Sequence, residues 1–528
     1  MSTASSTPMT ARTRWVQRAQ FLTSGAVLAM GWQSALLWPA TLLGLAFLCR
    51  LLVSLEPRQP LRSAAALGWW AGLGQGVVAL SWVYVIGWYV VPPLLALMAC
   101  WTALLALVVH ATHRWTRSPW LLAGVTACAW SLVEYGAARI PFGGFGWLRL
   151  GYAMVDSPLS GLLPLAGVAG LGWATALLGS LLGLVASRHP RALPILSWLA
   201  LTASLLLASG AGGRVAPGEV VATAPVHVGM VQGNLDGSGG PEAMGYARSV
   251  TDNHVSQTVA LMARSRAGID PVPDFVLWPE NSTDVDPTRD AQTRELITRA
   301  SSVAGRPILV GAVMAGPGED ERQTSALWWT PEGRMEARYD KRNLVPFGEW
   351  IPLRRQLLPV LPVLEQVGAQ SVPGTTPGVM AVELPDGRPL VLGDVVCFEL
   401  AWDRTVHDTV RHGAQVLVSQ SNLGTYTGTA QPRQQYTITR ARAMEMRREV
   451  VVATTNSYSG LVLPDGSVEG LTVPRTAAAQ TFTVPMRQGL TPAMRLAGPL
   501  EAVAAALAAA SALAGLGWSP RRRGRATG

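Results

Sequence analysis

Lysine is nearly absent from this chain. Of 528 residues 42 are Lys or Arg, yet Lys341 is the only lysine. Charge of either sign is scarce, with 14% Asp, Glu, Lys and Arg against roughly 25% in an ordinary soluble domain. Cysteine is sparse too. Cys49, Cys100 and Cys128 lie inside apolar runs, where a thiol behaves as a small hydrophobe, and only Cys397 has polar flanks. That scatter excludes a disulfide framework and a CxxC metal site; no cofactor and no metal are expected. The low charge, beside 49% apolar residues, points to lipid. A net charge of +9 invites a nucleic-acid partner. The arginines, however, sit in short loops between apolar runs and not along one stripe, so nucleic acid is excluded.

The arginine bias gives the one lysine meaning. Positions that need only a positive charge have become Arg, so Lys341 is expected where a compact ammonium is required and a guanidinium does not fit.

Apolar runs occupy 19–55, 63–83, 90–112, 119–136, 160–187, 192–212 and 493–518. A spanning helix needs about 20 residues. The first run is broken near its middle by Gly31 to Pro39 and reads as a hairpin, giving about eight spans. Basic residues fall in alternate connections: Arg12, Arg14 and Arg18; Arg58 and Arg62; Arg114 and Arg117; Arg188 and Arg191; then Arg521, Arg522, Arg523 and Arg525. The positive-inside rule puts all of these, and both termini, in the cytoplasm, leaving Arg139 and Arg149 outside. The expected organisation is a membrane domain over 1–212 with about seven helices, an extracytoplasmic domain over 213–492, and a last helix with a basic tail over 493–528. No small-residue cleavage site follows the first run, so it is not read as a cleavable signal peptide. This is the layout of a multi-pass protein of a bacterial cytoplasmic membrane.

Between the last two apolar runs the pattern changes. Short β-branched runs (Val226–Val231, Phe275–Trp278, Pro307–Val313, Leu390–Val396, Gln415–Ser419, Val450–Thr454) alternate with helical stretches such as Asp290–Ala304 and Ile438–Arg448. The alternation predicts an α/β domain of layered sheets and helices. An aromatic, glycine-rich loop, Pro141-Phe142-Gly143-Gly144-Phe145-Gly146-Trp147, lies outside it. The loop reads either as a segment dipping into the outer leaflet near this domain or as an interfacial aromatic anchor.

Three segments of the α/β domain carry chemistry. Phe275-Val276-Leu277-Trp278-Pro279-Glu280 is an apolar strand stopped by proline, with a carboxylate at its end. Tyr339 to Pro352 holds Lys341. Leu392-Gly393-Asp394-Val395-Val396-Cys397-Phe398-Glu399 is an apolar strand ending at a cysteine. Active sites favour the ends of parallel strands. Together the three supply acyl transfer: Cys397 as nucleophile, Glu280 as the base that takes its proton, and Lys341 to stabilise thiolate and oxyanion. No histidine is placed for a Cys-His pair, and His407 and His412 read as structural.

The order WPE, YDKRNLVPFGEWIP, VCFE resembles the Glu-Lys-Cys set of the nitrilase superfamily, and LVPFGE over 344–349 resembles its membrane-bound apolipoprotein N-acyltransferase branch. Val231-Gln232-Gly233-Asn234, Ser421-Asn422, Arg442-Ala443-Met444-Glu445 with Arg448, and the GGFGW loop are also similar to that family. The resemblance implies a multi-span helical membrane domain carrying an αββα sandwich, with Glu280, Lys341 and Cys397 as the catalytic set and Glu349 and Glu399 as accessory carboxylates. It implies an acyl chain passed from a phospholipid to Cys397 and then to the α-amino group of an apolipoprotein's S-diacylglyceryl-cysteine, with the bilayer as the third partner. In this reading Phe398 lines the acyl pocket, and Trp147 and Asn422 face substrate. Tyr246 stands in for a lid tryptophan that the loop after Asn234 lacks. The chain is expected to act as a monomer. The alternatives are a membrane-tethered amidase for a small amide, using the same three residues, and a non-catalytic scaffold or partner of another envelope enzyme.

Overall fold

The computed structural model describes residues 11–116, 118–186, 192–235 and 248–517. Arg117, Arg188, Arg191 and the basic tail, part of the orientation signal, lie outside them. Seven long helices come first: α1 (Ala11–Leu28), α2 (Trp38–Ser54), α3 (Leu61–Ala79), α4 (Val91–Trp115), α5 (Pro119–Ala137), α6 (Leu163–Ala186) and α7 (Ala192–Gly213). They coincide with the apolar runs, the first of which is a hairpin broken between Leu28 and Trp38. A further long helix, Pro492–Leu516, closes the described chain. Among the described residues five segments are long and apolar enough to cross a membrane: 35–54, 88–115, 160–185, 195–213 and 492–516. The other three helices fall short of that measure. α1 opens with Arg12 and Arg14, α3 is diluted by Gly68, Gly72, Gly74 and Gly76, and α5 carries Glu134.

The α/β region is built from β1 (Val226–Gln232), α8 (Ser249–Arg266), β2 (Phe275–Leu277), α9 (Ala291–Ala304), β3 (Ile308–Ala315), β4 (Glu321–Trp329), β5 (Met335–Asp340), β6 (Val379–Glu383), β7 (Pro389–Asp394), α10 (Asp403–Arg411), β8 (Val416–Ser421), α11 (Gln431–Met446), β9 (Val450–Thr454), β10 (Gly460–Val462), β11 (Val468–Glu469) and β12 (Ala478–Val484). The closing helix is then α12.

These strands form two sheets, ordered β12-β1-β2-β3-β4-β5 and β11-β10-β9-β8-β7-β6. In each, the central strands run parallel (β1, β2, β3; β7, β8, β9) and the flanking ones antiparallel. Alternation sends Val228, Met230, Leu277, Leu309, Leu390, Leu392, Val416, Val418 and Val451 into one core between the sheets. The opposite face of the first sheet packs on α8 and α9 through Leu261, Met262, Ile297 and Ala300. The second sheet packs on α10 and α11. The order is helix, sheet, sheet, helix.

The outer face of α11 is not bare. Val406, Ile438, Ala441 and Met444 share one buried cluster with Trp82, Trp147, Leu163, Val168 and Leu171 of the helical region, so a single core runs through the junction. Charges reinforce it. Arg149, 2% exposed, pairs with Glu134 of α5, with Asp403 of α10 and with Glu501 of α12. Arg442 of α11 pairs with Asp403 and Glu445, each at 2.6 Å, and donates to the Tyr152 hydroxyl at 2.8 Å. α6 breaks at Gly167, whose φ of 72° lies in the left-handed region; a Cβ there would meet a Glu445 carboxylate oxygen at 2.5 Å.

Candidate active site

The parallel strands place the predicted residues at one end of the sandwich. Glu280 follows β2 by three residues, Cys397 follows β7 by three, and Asn422 follows β8 directly, all at carboxyl ends. Lys341 is the residue after β5. Gly311 of β3 clears the space under Glu280: a Cβ on it would lie 2.1 Å from the Pro279 carbonyl oxygen and 2.7 Å from the Glu280 Cα.

Lys341 is 2% exposed and bridges two carboxylates. Its Nζ donates to Glu280 Oε1 and to Glu349 Oε1, each at 2.9 Å. The far oxygens are fixed by backbone: Glu280 Oε2 accepts from the N–H of Asn422 at 2.8 Å, and Glu349 Oε2 from the N–H of Val345 at 2.7 Å. Burial opposes the ammonium, but Glu280 and Glu349, with Cys397 adding to them, hold its pKa well above the ordinary lysine value. Lys341 is therefore a permanent cation in a pocket that holds two carboxylates.

Cys397 has φ +52°, the left-handed region that a residue with a Cβ seldom enters. It opens a short 3-10 turn, Cys397–Ala401, so its side chain turns out from the strand end instead of following the pleat. Burial, and then the Glu280 carboxylate, push its pKa up; Lys341 pulls it down by less. The resting sulfur is thus a thiol.

Glu399 builds the turn that displays Cys397. It accepts from the Tyr339 hydroxyl at 2.9 Å and from the N–H groups of Arg342 (2.7 Å), Asn343 (3.1 Å) and Val396 (2.9 Å). It thereby ties the lysine loop to the cysteine turn without touching the lysine. Burial raises its pKa, against the lowering effect of these N–H groups. Asn422 gives its N–H to Glu280, while its side-chain oxygen accepts from Gly424 N at 3.1 Å and Thr455 Oγ1 at 3.2 Å. Tyr246 lies outside the described residues.

Sequence reasoning missed Gln435. Its amide nitrogen lies 3.8 Å and its oxygen 3.9 Å from the Cys397 sulfur. The amide is held by Gln431, which donates to its oxygen at 2.9 Å, and by Ser421, which accepts from its nitrogen at 2.8 Å. The signal was available: Gln431 and Gln435 stand four apart on a helix, on one face, ahead of the Arg442-Ala443-Met444-Glu445 match.

The GGFGW loop reaches this site. Phe398, next to Cys397, stacks on Phe145 and Trp147 with ring centroids 5.7 and 5.8 Å apart, and meets Trp402 edge-on at 5.8 Å. Trp147 is buried, not an anchor in a lipid interface. Gly146 permits the approach, since a Cβ there would come 2.7 Å from the Ala401 carbonyl oxygen. Phe142, 41% exposed, meets Phe347 and Trp350 edge-on at 6.2 and 6.4 Å, forming an aromatic rim from both regions.

Two family profiles match. Residues 24–181 fit the apolipoprotein N-acyltransferase N-terminal domain and residues 274–471 fit carbon-nitrogen hydrolase. The chain belongs to the apolipoprotein N-acyltransferase family. An apolipoprotein N-acyltransferase of Mycolicibacterium smegmatis is 32% identical over 370 residues, 67% of this chain and 61% of that relative, so the match spans less than two thirds of its length. One from Pseudomonas putida is 28% identical over 533 residues, covering 95% of this chain and 99% of the relative. Among solved structures, a cysteine-to-alanine mutant of a nitrilase-superfamily amidase from Nesterenkonia AN1 covers 53% of this chain and 96% of its own, at 16% identity and a TM-score of 0.38, a score too low to add weight. The family profiles account for both halves of the molecule: the helical region that brings Trp147 to the site, and the sandwich that holds Glu280, Lys341 and Cys397.

Proposed function

We propose that the protein moves a fatty acyl chain from a phospholipid, through a thioester on Cys397, to the α-amino group of the N-terminal S-diacylglyceryl-cysteine of apolipoproteins. One observation carries this reading: a cysteine in a left-handed turn, beside a lysine bridged by two carboxylates, lies where an aromatic loop of the membrane helices packs against the next residue.

In the first step the Cys397 thiol gives its proton to Glu280 as the sulfur attacks the ester carbonyl. Lys341 faces the oxyanion, an interaction worth about 2.7–4 kcal/mol of barrier for a single donor. Collapse breaks the ester C–O bond, and the departing alkoxide takes the proton from Glu280 and leaves as lysophospholipid. In the second step the acceptor amine attacks the thioester and gives a proton to Glu280. The C–S bond breaks, and the sulfur recovers its proton from Glu280. Glu349 keeps Lys341 in place throughout. A thioester conserves the acyl transfer potential that an amide bond requires. The rim of exposed Phe142 and half-buried Phe347 and Trp350 suits substrates that arrive from the bilayer.

The same reading takes all eight long helices as spans, with 1–212 and 493–528 in a bacterial cytoplasmic membrane, 213–492 outside and both termini in the cytoplasm. The basic loops and the five strongly apolar segments support it.

Mass measurement of the intact protein after exposure to phospholipid tests the chemistry. A fatty-acyl mass on the Cys397 peptide, removed by hydroxylamine and absent from Cys397→Ala, is expected together with free lysophospholipid. Hydrolysis of small soluble amides with no lysophospholipid released would establish the amidase reading instead.

A further inference from the structure

A cavity of about 220 Å3 lies between α11 and the segment that joins α1 to α2. Gln33, Ser34 and Leu36 come from that segment, Arg433, Thr437 and Arg440 from α11, and Asp156 from the loop before α6. The lining holds two guanidiniums and one carboxylate, a net +1. Arg440 is already committed, to Asp156 at 2.6 Å and to the Gly466 carbonyl at 2.7 Å. Arg433 is not. Among the described residues its one partner is the Tyr458 hydroxyl, which takes the Nε–H at 3.1 Å, and its two terminal nitrogens have no acceptor. A free guanidinium fork matches a phosphate and is the wrong partner for a neutral or cationic group.

The surroundings narrow the ligand. Leu36, 73% exposed, lines the cavity, so an apolar chain attached to the anion has a surface to follow. The volume is below the roughly 300 Å3 at which pockets for whole small molecules begin; it suits a headgroup whose tails stay outside. The position is also specific. Trp147 and Gln434 form the inner wall, joined by a hydrogen bond of 2.7 Å. On the other side of that wall Trp147 stacks on Phe398, and Gln435, the neighbour of Gln434, touches the Cys397 sulfur.

We propose that this cavity is the phosphate subsite for the acyl donor: Arg433 holds the phosphate of a glycerophospholipid while its acyl ester lies toward Cys397. The inference rests on the acyl-transfer reading above and gives its donor a place.

Arg433 lies on the surface, so Arg433→Gln should fold. With a phosphatidylglycerol donor in detergent, Arg433→Gln should raise the half-saturating concentration for Cys397 acylation about tenfold, the loss of about 1.4 kcal/mol. Arg433→Lys should recover part of it, and acylation by a phosphate-free donor, the p-nitrophenyl ester of the same fatty acid, should be unchanged. Radiolabelled lysophosphatidylglycerol should bind Cys397→Ala protein and lose about tenfold in affinity when Arg433→Gln is added. Lysophosphatidylglycerol should also displace the label at far lower concentration than inorganic phosphate. An unchanged half-saturation, or an equal loss with both donors, would overturn the subsite. Equal potency of inorganic phosphate would overturn the lipid as its ligand. If the wild type forms no adduct with either donor while the binding difference persists, the acyl-transfer reading fails and the subsite stands.

Discussion

Two of the buried charge groups in the molecule are built from different cations. At the junction of helices and sandwich, Arg149 and Arg442 reach Glu134, Asp403, Glu445 and Glu501 through rigid, multidentate guanidiniums. Burial and these arginines act oppositely on Asp403, and the arginines prevail, holding its pKa far below the usual carboxylate range. At the mouth of the sandwich the only lysine makes one bond to each of two carboxylates, beside a thiol. Arginine fixes geometry because its fork is planar and always charged. An ammonium is a small point charge that leaves one side free for a developing oxyanion. In the proposed reading one group holds and the other reacts.

The sharpest way to break that distinction is to exchange the cations. Lys341→Arg keeps the charge but should lower the acylation rate of Cys397 by about 100-fold or more, the scale of a lost oxyanion donor, with thermal stability nearly intact. Near-normal rates would remove the special standing of the lone lysine. Arg442→Met is the converse. It takes the guanidinium from Glu445 and leaves Asp403 with Arg149 as its cation; losing one partner of a buried ion pair costs about 3–5 kcal/mol, and should appear as a lower unfolding temperature and as faster proteolysis at the junction. A smaller effect is expected from Glu399→Gln, because an amide cannot accept from Tyr339, Arg342, Asn343 and Val396 with both ends. Turnover should fall roughly tenfold while the half-saturating donor concentration stays put, the mark of a positioning residue.

The smallest effect concerns Asp394. It is fully buried, with the backbone N–H groups of Gln420 and Val395 beside its carboxyl. Burial, then Glu399, push its pKa well above the ordinary value. A carboxyl with a raised folded-state pKa contributes stability at low pH that is lost as pH rises through that value. Asp394→Asn keeps the shape without the proton, so it should flatten the decline in stability on the alkaline side and leave acid stability unchanged. A steeper alkaline decline in the variant would refute this.

Much of the site was legible because its residues punctuate strands. Trp278-Pro279-Glu280 and Val396-Cys397 mark where apolar runs stop, and the isolation of Lys341 among arginines marked the third member. The central parallel strands were legible for the same reason. The flanking strands β4 and β5 were not, since Glu321-Arg322-Gln323 and Met335-Glu336-Ala337-Arg338 carry charge and take their structure from the partner strand. The junction escaped as well. Arg149 and Asp403 stand 254 residues apart, and no local pattern announces a bond that only the assembled fold creates. The number of spans was less legible than the apolar runs, because α1, α3 and α5 are diluted by arginine, glycine and Glu134 and fall short of the five strongly apolar segments among the described residues.

The shared core under α11 bears on how this enzyme could be dissected. A sandwich cut free of its helices would present Ile438, Ala441 and Met444 to water and leave Arg442 without the Tyr152 hydroxyl. Phe398 would also lose the two rings that support it. Excision would therefore give an aggregating fragment with a loosened Cys397 turn, and any study of the chemistry in isolation has to carry the bundle along.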